Sequence, residues 1–510
     1  MSFETMFSPI EIGSMTVKNR FVVPPMGNNF ANTDGTWSEQ SIAYYAERAR
    51  GGFGLVTVEA TVVHEGAKGG PRKPCLYDDG SVASLSRIAE ACHAHGAKVS
   101  VQLQNAGPEG NAKNAGAPLQ AASPIPSACG RDVPREVPVE KVYELVRGYG
   151  DAAERALRAG VDAVEIHMAH GYLVGSFISQ RTNKRVDEFG GSFENRMRFP
   201  RLIVEEVRRR VGDRAAVIAR INASDEMLGG LDVHDAAAVA SYLEACGVAC
   251  LHVSRAVHIK DEYMWAPTAV HGGFNADLVS EIKRAVHVPV IAVGRFTDPY
   301  YAELLVREGR ADLIAFGRQS LADPHLPLKT KKGCSEDVVP CIACLQGCVA
   351  RMYRGEPIRL SLIHIFLILR RCCRSRSEKK SAELRMSAMP MAVIHMKSLS
   401  ARRCAKSTVS SASLKCSSLK VSSRSEDFSA SGASNCCLML SHLSCTRNSA
   451  SMNSPVSWFT TGRCSSRSKS EASVSSTRST TSSFGRFAIS SFTARCVAPR
   501  TTPASLMMLA

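Results

Sequence analysis

Two histidines and a tyrosine follow a predicted strand in the middle of the chain. The apolar run at residues 163–166 leads directly into His167, His170 and Tyr172 before any helix begins. Polar side chains massed where a strand stops are typical of the C-terminal rim of a barrel, where catalytic groups gather. A pair of satisfied loop histidines is the alternative, but the long polar loop at residues 185–196, with its glycine pair, favours a functional loop. These three residues are therefore our candidate catalytic residues.

A repeated Gly-Arg pair indicates a phosphate site. Gly294 and Arg295 follow the predicted seventh strand, and Gly317 and Arg318 follow the predicted eighth. The loops after these two strands build phosphate sites in barrels. Glycine lets the backbone approach a ligand closely, and a short helix predicted to begin near Ser320 would direct its amides at the anion. We therefore predict that the two pairs bind a phosphate group.

The order His-x-x-His-Gly-Tyr at residues 167–172 resembles the active-site segment of the old yellow enzyme (NADH:flavin oxidoreductase) family, flavin-dependent ene reductases built on a TIM barrel. The resemblance implies that His167 and His170 bind the carbonyl or carboxylate that activates an alkene, and that Tyr172 protonates its α-carbon. It also implies that the phosphate at the two Gly-Arg pairs is that of FMN. Hydride from flavin N5 would reach the β-carbon, and donors aimed at the developing negative oxygen would lower the barrier. Tyrosine suits the role of acid because it keeps its proton at neutral pH. Asn105 departs from many relatives, which have histidine in this loop, so we transfer no substrate specificity.

Other predicted strand ends carry groups that suit a flavin. The Gln102 amide can both donate to and accept from the pyrimidine edge, and the Arg220 guanidinium would stabilise negative charge at N1 and O2. The alternatives are a solvent-facing glutamine and a salt bridge at the rim. The complete set of residues predicted to contact the flavin ring is Pro25, Met26, Gly27, Ala60, Gln102 and Arg220.

Three cysteines after the predicted barrel have the spacing of a metal site. Cys341, Cys344 and Cys348 form the pattern C-x-x-C-x-x-x-C, which suits an iron–sulfur cluster better than tetrahedral zinc. The resemblance narrows here to the long subfamily that contains 2,4-dienoyl-CoA reductase, 2-enoate reductases, bile-acid-type reductases and trimethylamine dehydrogenase. It implies a 4Fe-4S cluster with a fourth cysteine where this chain has Leu360. It also implies a second half that binds FAD and NAD(P)H.

Alternating strands and helices must position these groups. Eight strands alternating with helices over residues 1–330 are the pattern of a TIM (β/α)₈ barrel. A doubly wound sheet is disfavoured because no Gly-x-Gly-x-x-Gly follows the first strand. We predict strands at 17–25, 55–59, 97–103, 161–167, 216–221, 249–254, 288–293 and 313–316, with helices at 38–49, 81–95, 139–159, 198–211, 235–246, 276–285 and 300–308.

The composition of the 510-residue chain changes near residue 360. Residues 1–360 contain 41 Lys and Arg and 42 Asp and Glu. Residues 361–510 contain 22 Lys and Arg but only 5 Asp and Glu. The second part is about a quarter serine, a composition that cannot bury a core. Residues 360–365, LSLIHI, resemble the translation of a transposon end used for sequencing libraries.

We therefore expect three regions. Residues 1–330 form the FMN-binding barrel, residues 331–359 an incomplete iron–sulfur segment, and residues 360–510 a disordered Ser/Arg-rich tail. We expect the tail to be an assembly artefact or an off-frame translation that replaces the FAD and NAD(P)H domains. The opening residues lack a basic region followed by an apolar core, and no apolar run is long enough for a bilayer, so we expect a cytoplasmic protein without a membrane partner. The 18 cysteines are not a disulfide framework in so large a chain.

The sequence thus predicts an FMN-dependent oxidoreductase that reduces the activated C=C bond of a 2-enoate, an enoyl-CoA or a steroid enone. Electrons would come from NAD(P)H or from an electron-donor protein. One alternative is an amine dehydrogenase like trimethylamine dehydrogenase, which needs an aromatic cage. Another is a nucleic-acid-binding protein that acts through the basic tail, although that tail lacks aromatic interleaving, so we expect no nucleic-acid partner. The choice of alkene, of NADH or NADPH, and of monomer or homo-oligomer is open from the sequence.

Overall fold

The eight predicted strands form a closed parallel barrel, which confirms the TIM-barrel prediction. The computed structural model describes residues 2–127, 129, 132–258 and 261–360, so the predicted tail from residue 361 onward lies outside the described residues. The strands are β1 (Ile10–Ile12), β2 (Met15–Val17), β3 (Phe21–Val23), β4 (Leu55–Val62), β5 (Lys98–Gln104), β6 (Gln120–Ala121), β7 (Arg135–Glu136), β8 (Ala163–His167), β9 (Ala216–Asn222), β10 (Cys250–Ser254), β11 (Val290–Val293) and β12 (Leu313–Ala315). The barrel consists of β3, β4, β5 and β8 to β12, and it closes where β12 pairs with β3.

Helices follow the barrel strands, as in other (β/α)₈ folds. They are α1 (Glu4–Phe7), α2 (Glu39–Arg50), α3 (Val82–His93), α4 (Ala112–Ala115), α5 (Val139–Arg158), α6 (Leu173–Ile178), α7 (Phe193–Val211), α8 (Val233–Ala245), α9 (Asp261–Met264), α10 (Ala276–Ala285), α11 (Pro299–Arg307), α12 (Gly317–Ala322), α13 (Leu326–Lys331) and α14 (Val349–Tyr353). Two helix starts differ from the prediction by three residues or more. Helix α7 begins at Phe193 rather than at residue 198, because the Ser192 side chain accepts from the Asn195 amide and caps it. Helix α12 begins at Gly317 rather than near Ser320.

The interior of the barrel is apolar at its N-terminal end and polar at its C-terminal end. Successive side chains of a strand alternate between the two faces of a sheet, so Ala163, Glu165 and His167 of β8 share one face. An unpredicted hairpin of β1 and β2 packs against the apolar end. The buried cluster there consists of Ile12, Met15, Val17, Val22, Leu55, Ala163, Ala216, Ile218, Cys250, Ile291, Leu313 and Ala315.

The polar loop at residues 185–196 is a scaffold organised around the buried Arg185, with exposed residues beside it. Arg185 donates to the Asp187 carboxylate and to the main-chain carbonyls of Ala122 and Val137. A Cβ at Gly190 would overlap the Arg185 carbonyl, which explains the first glycine of the pair. The loop therefore fixes the chain around α6 and α7, which follow the candidate catalytic residues.

Within the part of the chain that the structure describes, no helix has both the length and the apolar character needed to cross a bilayer.

The Arg185 interactions predict a stability effect. The Arg185 side chain is 2% exposed, so replacing it with alanine leaves Asp187 and two carbonyls without their partner. We expect Arg185→Ala to lower the free energy of unfolding by about 3 kcal/mol. Urea unfolding followed by circular dichroism measures this. Arg201→Ala, which removes an exposed pair with Glu205, is the control and should change the value by about 0.5 kcal/mol or less. Equal losses in the two variants would contradict the scaffold role.

Candidate active site

The C-terminal ends of the barrel strands surround a cavity of about 510 Å³. This volume lies in the usual range for sites that bind cofactors or small molecules. All thirteen barrel residues singled out in the sequence line this cavity: Pro25, Met26, Gly27, Ala60, Gln102, His167, His170, Tyr172, Arg220, Gly294, Arg295, Gly317 and Arg318. Asn105 does not line it; its side chain accepts from the Gly107 amide within the loop. The roles predicted for these residues remain predictions, but their proximity is now established.

The two histidines and the tyrosine are packed together. Nε2 of His167 lies 3.2 Å from Nδ1 of His170, and the ring centroids of His167 and Tyr172 are 4.7 Å apart. His170 adopts a left-handed backbone conformation with φ of 63°, and its amide donates to the Asn222 side chain at 3.3 Å. Such a conformation is unfavourable for a residue other than glycine and is typical of functional sites. The backbone thus turns the His170 ring toward His167.

Both histidines are neutral at physiological pH. Burial lowers the pKa of His167 and of His170 well below the usual histidine value, and the Arg220 charge lowers it further. A neutral imidazole carries one N–H donor and one acceptor nitrogen. The pair therefore offers hydrogen bonds without a positive charge of its own.

His258 is a site residue that sequence reasoning missed. Its Nε2 atom lies 3.1 Å from the Tyr172 hydroxyl, and the two rings meet edge to face with centroids 5.3 Å apart. His258 follows β10, so it stands beyond a strand end, as His170 does. Its place after a predicted strand was the one feature of the sequence that could have identified His258. No nearby motif distinguished this residue from an ordinary loop histidine.

A buried polar network lies beneath the histidines. The Glu165 carboxylate is fully buried and accepts from Gln102 at 2.6 Å and from Nδ1 of His252 at 2.8 Å. Burial alone would raise the pKa of Glu165, but His252, Arg220 and the Gln102 hydrogen bond outweigh burial and hold the pKa below its usual value. The carboxylate therefore balances the charge of Arg220. Sequence reasoning missed Glu165 and His252 because each lies inside a predicted strand rather than at its end.

The predicted phosphate loops meet at one side of the cavity. Arg295 donates to the carbonyls of Thr268 and Val270, and Arg318 donates to those of Trp265 and Ala266. All four partners are neutral carbonyl groups, so these hydrogen bonds do not neutralise the charge of either guanidinium group. The segment at 265–270 was not singled out in the sequence, because it carries no phosphate-binding pattern.

The cavity fits FMN. Nε of Arg220 and Nε of Arg295 have no hydrogen-bond partner among the described residues, although both atoms are buried. A Cβ at Gly27 would lie 3.0 Å from Nζ of Lys73 and 3.3 Å from Sδ of Met352, so this wall of the cavity is narrow. Unused cationic donors beside an enclosed space suit a ligand with an anionic ring edge and a phosphate.

The cysteine segment packs against the same cavity. Cys341 and Arg318 line both the large cavity and a small one of about 20 Å³, which Cys344, Cys348 and Leu360 also line. Burial raises the pKa of the Cys341 and Cys348 thiols, and the Arg318 charge opposes part of that rise.

Within the described residues, the three motif cysteines do not form a compact group of metal ligands. The one group whose ligand atoms all lie within 4.8 Å of one another is Cys334, Glu336 and Asp337. The iron–sulfur cluster therefore stays a prediction from the spacing of Cys341, Cys344 and Cys348 in the sequence. Leu360 contributes an apolar side chain at this place.

Comparison with known proteins agrees with this geometry. The profile of the NADH:flavin oxidoreductase / NADH oxidase family matches residues 5–337. An NADH oxidase of Thermoanaerobacter brockii is 38% identical over 363 residues, which cover 71% of this chain and 56% of that protein. A cinnamate reductase of Clostridium sporogenes is 33% identical over 377 residues, which cover 69% of this chain and 56% of that protein. The structure of a 2-naphthoyl-CoA reductase complex is similar with a TM-score of 0.67 and 30% identity, covering 70% of this chain and 56% of that chain.

The chain thus spans little more than half the length of each of these three proteins. The family profile covers the whole barrel and all but four of the residues that line the cavity. The chain belongs to the NADH:flavin oxidoreductase / NADH oxidase family of flavin-dependent oxidoreductases.

Proposed function

We propose that the chain is the FMN-binding part of an ene reductase, which reduces an activated carbon–carbon double bond with NAD(P)H as the ultimate donor. The observation that carries this proposal is the pair of neutral imidazoles, with facing nitrogens 3.2 Å apart, beside Tyr172 in the cavity. Neutral donors bind a carbonyl and strengthen their hydrogen bonds as charge develops on its oxygen.

Residues at five strand ends would hold FMN. Arg295 and Arg318 would bind the phosphate, and Arg220 would lie beside the pyrimidine edge, with Gly27 and Ala60 allowing close approach of the ring. FMN bound in this cavity would supply a hydride from its N5 atom. The burial of Arg220 and its charge balance with Glu165 hold the guanidinium in place before any ligand arrives.

Tyr172 would deliver the proton that completes the reduction. Its hydroxyl lies 3.1 Å from Nε2 of His258, so the tyrosine is oriented and has a neighbour from which a proton can be replaced. Proton transfer from a positioned side chain accelerates such steps by about 10²–10⁴-fold. His167 and His170 would hold the substrate oxygen during that transfer.

The cysteine segment would bring electrons to the cavity. Cys341 borders both cavities, so a cluster bound at residues 341–348 would adjoin the flavin site. The domains that bind FAD and NAD(P)H in longer relatives would complete the path, or a separate electron-donor protein would replace them. We propose a 2-enoate or an enoyl-CoA as the substrate class, because two of the similar proteins are named as reductases of cinnamate and of 2-naphthoyl-CoA.

One experiment tests the function. The FMN-loaded protein is reduced anaerobically with dithionite, and cinnamate or cyclohex-2-enone is added. Reoxidation of the flavin with formation of the saturated product supports ene reduction. Failure with both compounds, together with reduction of the oxidised flavin by trimethylamine, would favour an amine dehydrogenase instead.

Tyr172→Phe removes the proposed acid but keeps the ring. We expect reoxidation by the enone to slow by about a hundredfold or more, with unchanged FMN content and unchanged reduction by dithionite. Stopped-flow absorbance at the flavin maximum measures the rate. Tyr143→Phe, at a partly exposed tyrosine outside the cavity, is the control and should react as the wild type does. A wild-type rate in Tyr172→Phe would exclude the proposed acid.

Arg318→Met should weaken the binding of FMN but not that of riboflavin. Losing a charge-assisted contact to the phosphate lowers affinity by about tenfold or more. Riboflavin, which has no phosphate, should bind with little change. Titration of the apoprotein by flavin fluorescence measures both ligands. A parallel loss for riboflavin would mean that Arg318 only supports the segment at 265–270.

Leu360→Cys should complete the cluster site. Leu360 lines the small cavity with the three cysteines, so a thiol there is placed to become the fourth ligand. After anaerobic reconstitution we expect about four irons per chain that withstand brief exposure to air, because four thiolates hold a cubane cluster. Leu360→Ala is the control for the lost leucine side chain. Equal iron content in all three proteins would contradict the proposed position of the cluster.

A further inference from the structure

The hydrogen bonds around His167 determine where its proton lies. The main-chain amide of Ala169 donates to Nδ1 of His167 at 3.2 Å, so Nδ1 is an acceptor. Because this imidazole is neutral, its proton is on Nε2. Nε2 of His167 therefore donates to Nδ1 of His170 at 3.2 Å.

The same reasoning extends to the next two groups. Nδ1 of His170 is an acceptor in this arrangement, so the neutral His170 ring carries its proton on Nε2. That N–H donates to Oγ of Ser254 at 2.6 Å. Nη2 of Arg220 also approaches this hydroxyl, at 3.4 Å. In the free protein Ser254 is thus an acceptor for His170.

This arrangement does not suit a bound substrate oxygen. An oxygen held between the two rings, as the proposed function requires, must accept from Nε2 of His167 and from Nδ1 of His170. His167 already carries a proton at that atom, but His170 does not. His170 must lose the proton on Nε2 and gain one on Nδ1 by exchange with solvent, which leaves the ring neutral.

After that exchange Nε2 of His170 is an acceptor, and its buried neighbour must become a donor. A hydroxyl can do both, since it has one O–H and two lone pairs and rotates to suit. We propose that Ser254 is a positioning residue whose hydroxyl reverses its hydrogen bond to His170, so that His170 changes tautomer when the substrate oxygen binds. The inference rests on the proposed ene reductase function.

The tautomer is measured directly by long-range ¹H–¹⁵N correlation spectra of the FMN-loaded protein labelled with ¹⁵N-histidine. His170→Gln assigns the signals. Cyclohex-2-enone is the probe, because the oxidised flavin cannot reduce it. We expect the proton of His170 on Nε2 in the free protein and on Nδ1 in the enone complex. The same tautomer in both states would overturn the proposal.

Ser254→Asp and Ser254→Asn form a matched pair of nearly equal size. A carboxylate can only accept, whereas an amide can present either an acceptor or a donor. The spectra are recorded at a pH of about 8.5, where histidine is ordinarily neutral. In Ser254→Asn we expect His170 to change tautomer when the enone binds. In Ser254→Asp we expect no neutral His170 that carries its proton on Nδ1. The enone should bind about tenfold more weakly to Ser254→Asp than to Ser254→Asn, the loss of one hydrogen bond. Equal affinity and equal tautomer change in the two variants would overturn the role of Ser254.

Reoxidation of the reduced flavin by the enone, measured on the same samples, separates the two claims. Turnover without a tautomer change overturns the Ser254 mechanism and leaves ene reduction supported. If the wild type neither binds the enone nor is reoxidised by it, both ene reduction and the Ser254 mechanism are overturned.

Discussion

The buried carboxylate of Glu165 is the group on which the rest of the site depends. A closed barrel turns every second side chain of its strands inward, and here several of those side chains are polar. Arg220 could not remain a buried cation without a nearby negative charge, since burial strongly disfavours an uncompensated ion. Glu165 supplies that charge, and Gln102 and His252 complete its hydrogen bonds. An apolar cluster fills the other end of the barrel.

The protonation state of the histidines follows from this arrangement. Burial lowers the pKa of both rings, and the nearby Arg220 charge lowers it further, so that they are neutral hydrogen-bond donors and not cations. A cationic pair would bind an anion tightly even before reaction, and interactions that are equally strong in the ground state do not accelerate the chemical step. In the proposed reaction, the hydrogen bonds from neutral rings would strengthen as charge develops on the bound oxygen. The strained backbone of His170 and its bond to Asn222 then supply orientation.

The barrel and the residues at the ends of its strands were predictable from the sequence, because alternating periodicity and short functional motifs are local signals. Position after a strand identifies His167 and His170, and repetition identifies the two Gly-Arg pairs. Glu165 and His252 were not predictable in this way, because a charged residue within a strand looks like a residue on an exposed face until the barrel closes. His258 and Ser254 were missed because their importance lies in contacts with residues more than eighty positions earlier in the chain. The loop at 185–196 shows a related limit: its polar groups bind one another and the main chain, which composition alone does not distinguish from binding a substrate.

The contact between the cysteine segment and the loop after β3 affects how the molecule can vary. The Ile358 amide donates to the Asn28 carbonyl, and the Asn29 side chain donates to the carbonyls of Met352 and Glu356. Met352 in turn lies over Gly27 and forms a wall of the large cavity. The segment that carries the cysteines is therefore also part of the enclosure for the flavin. A barrel without the cysteine segment could not simply end after α13, because other side chains would have to form this wall of the cavity. Gain or loss of the segment is therefore tied to redesign of the neighbouring cavity.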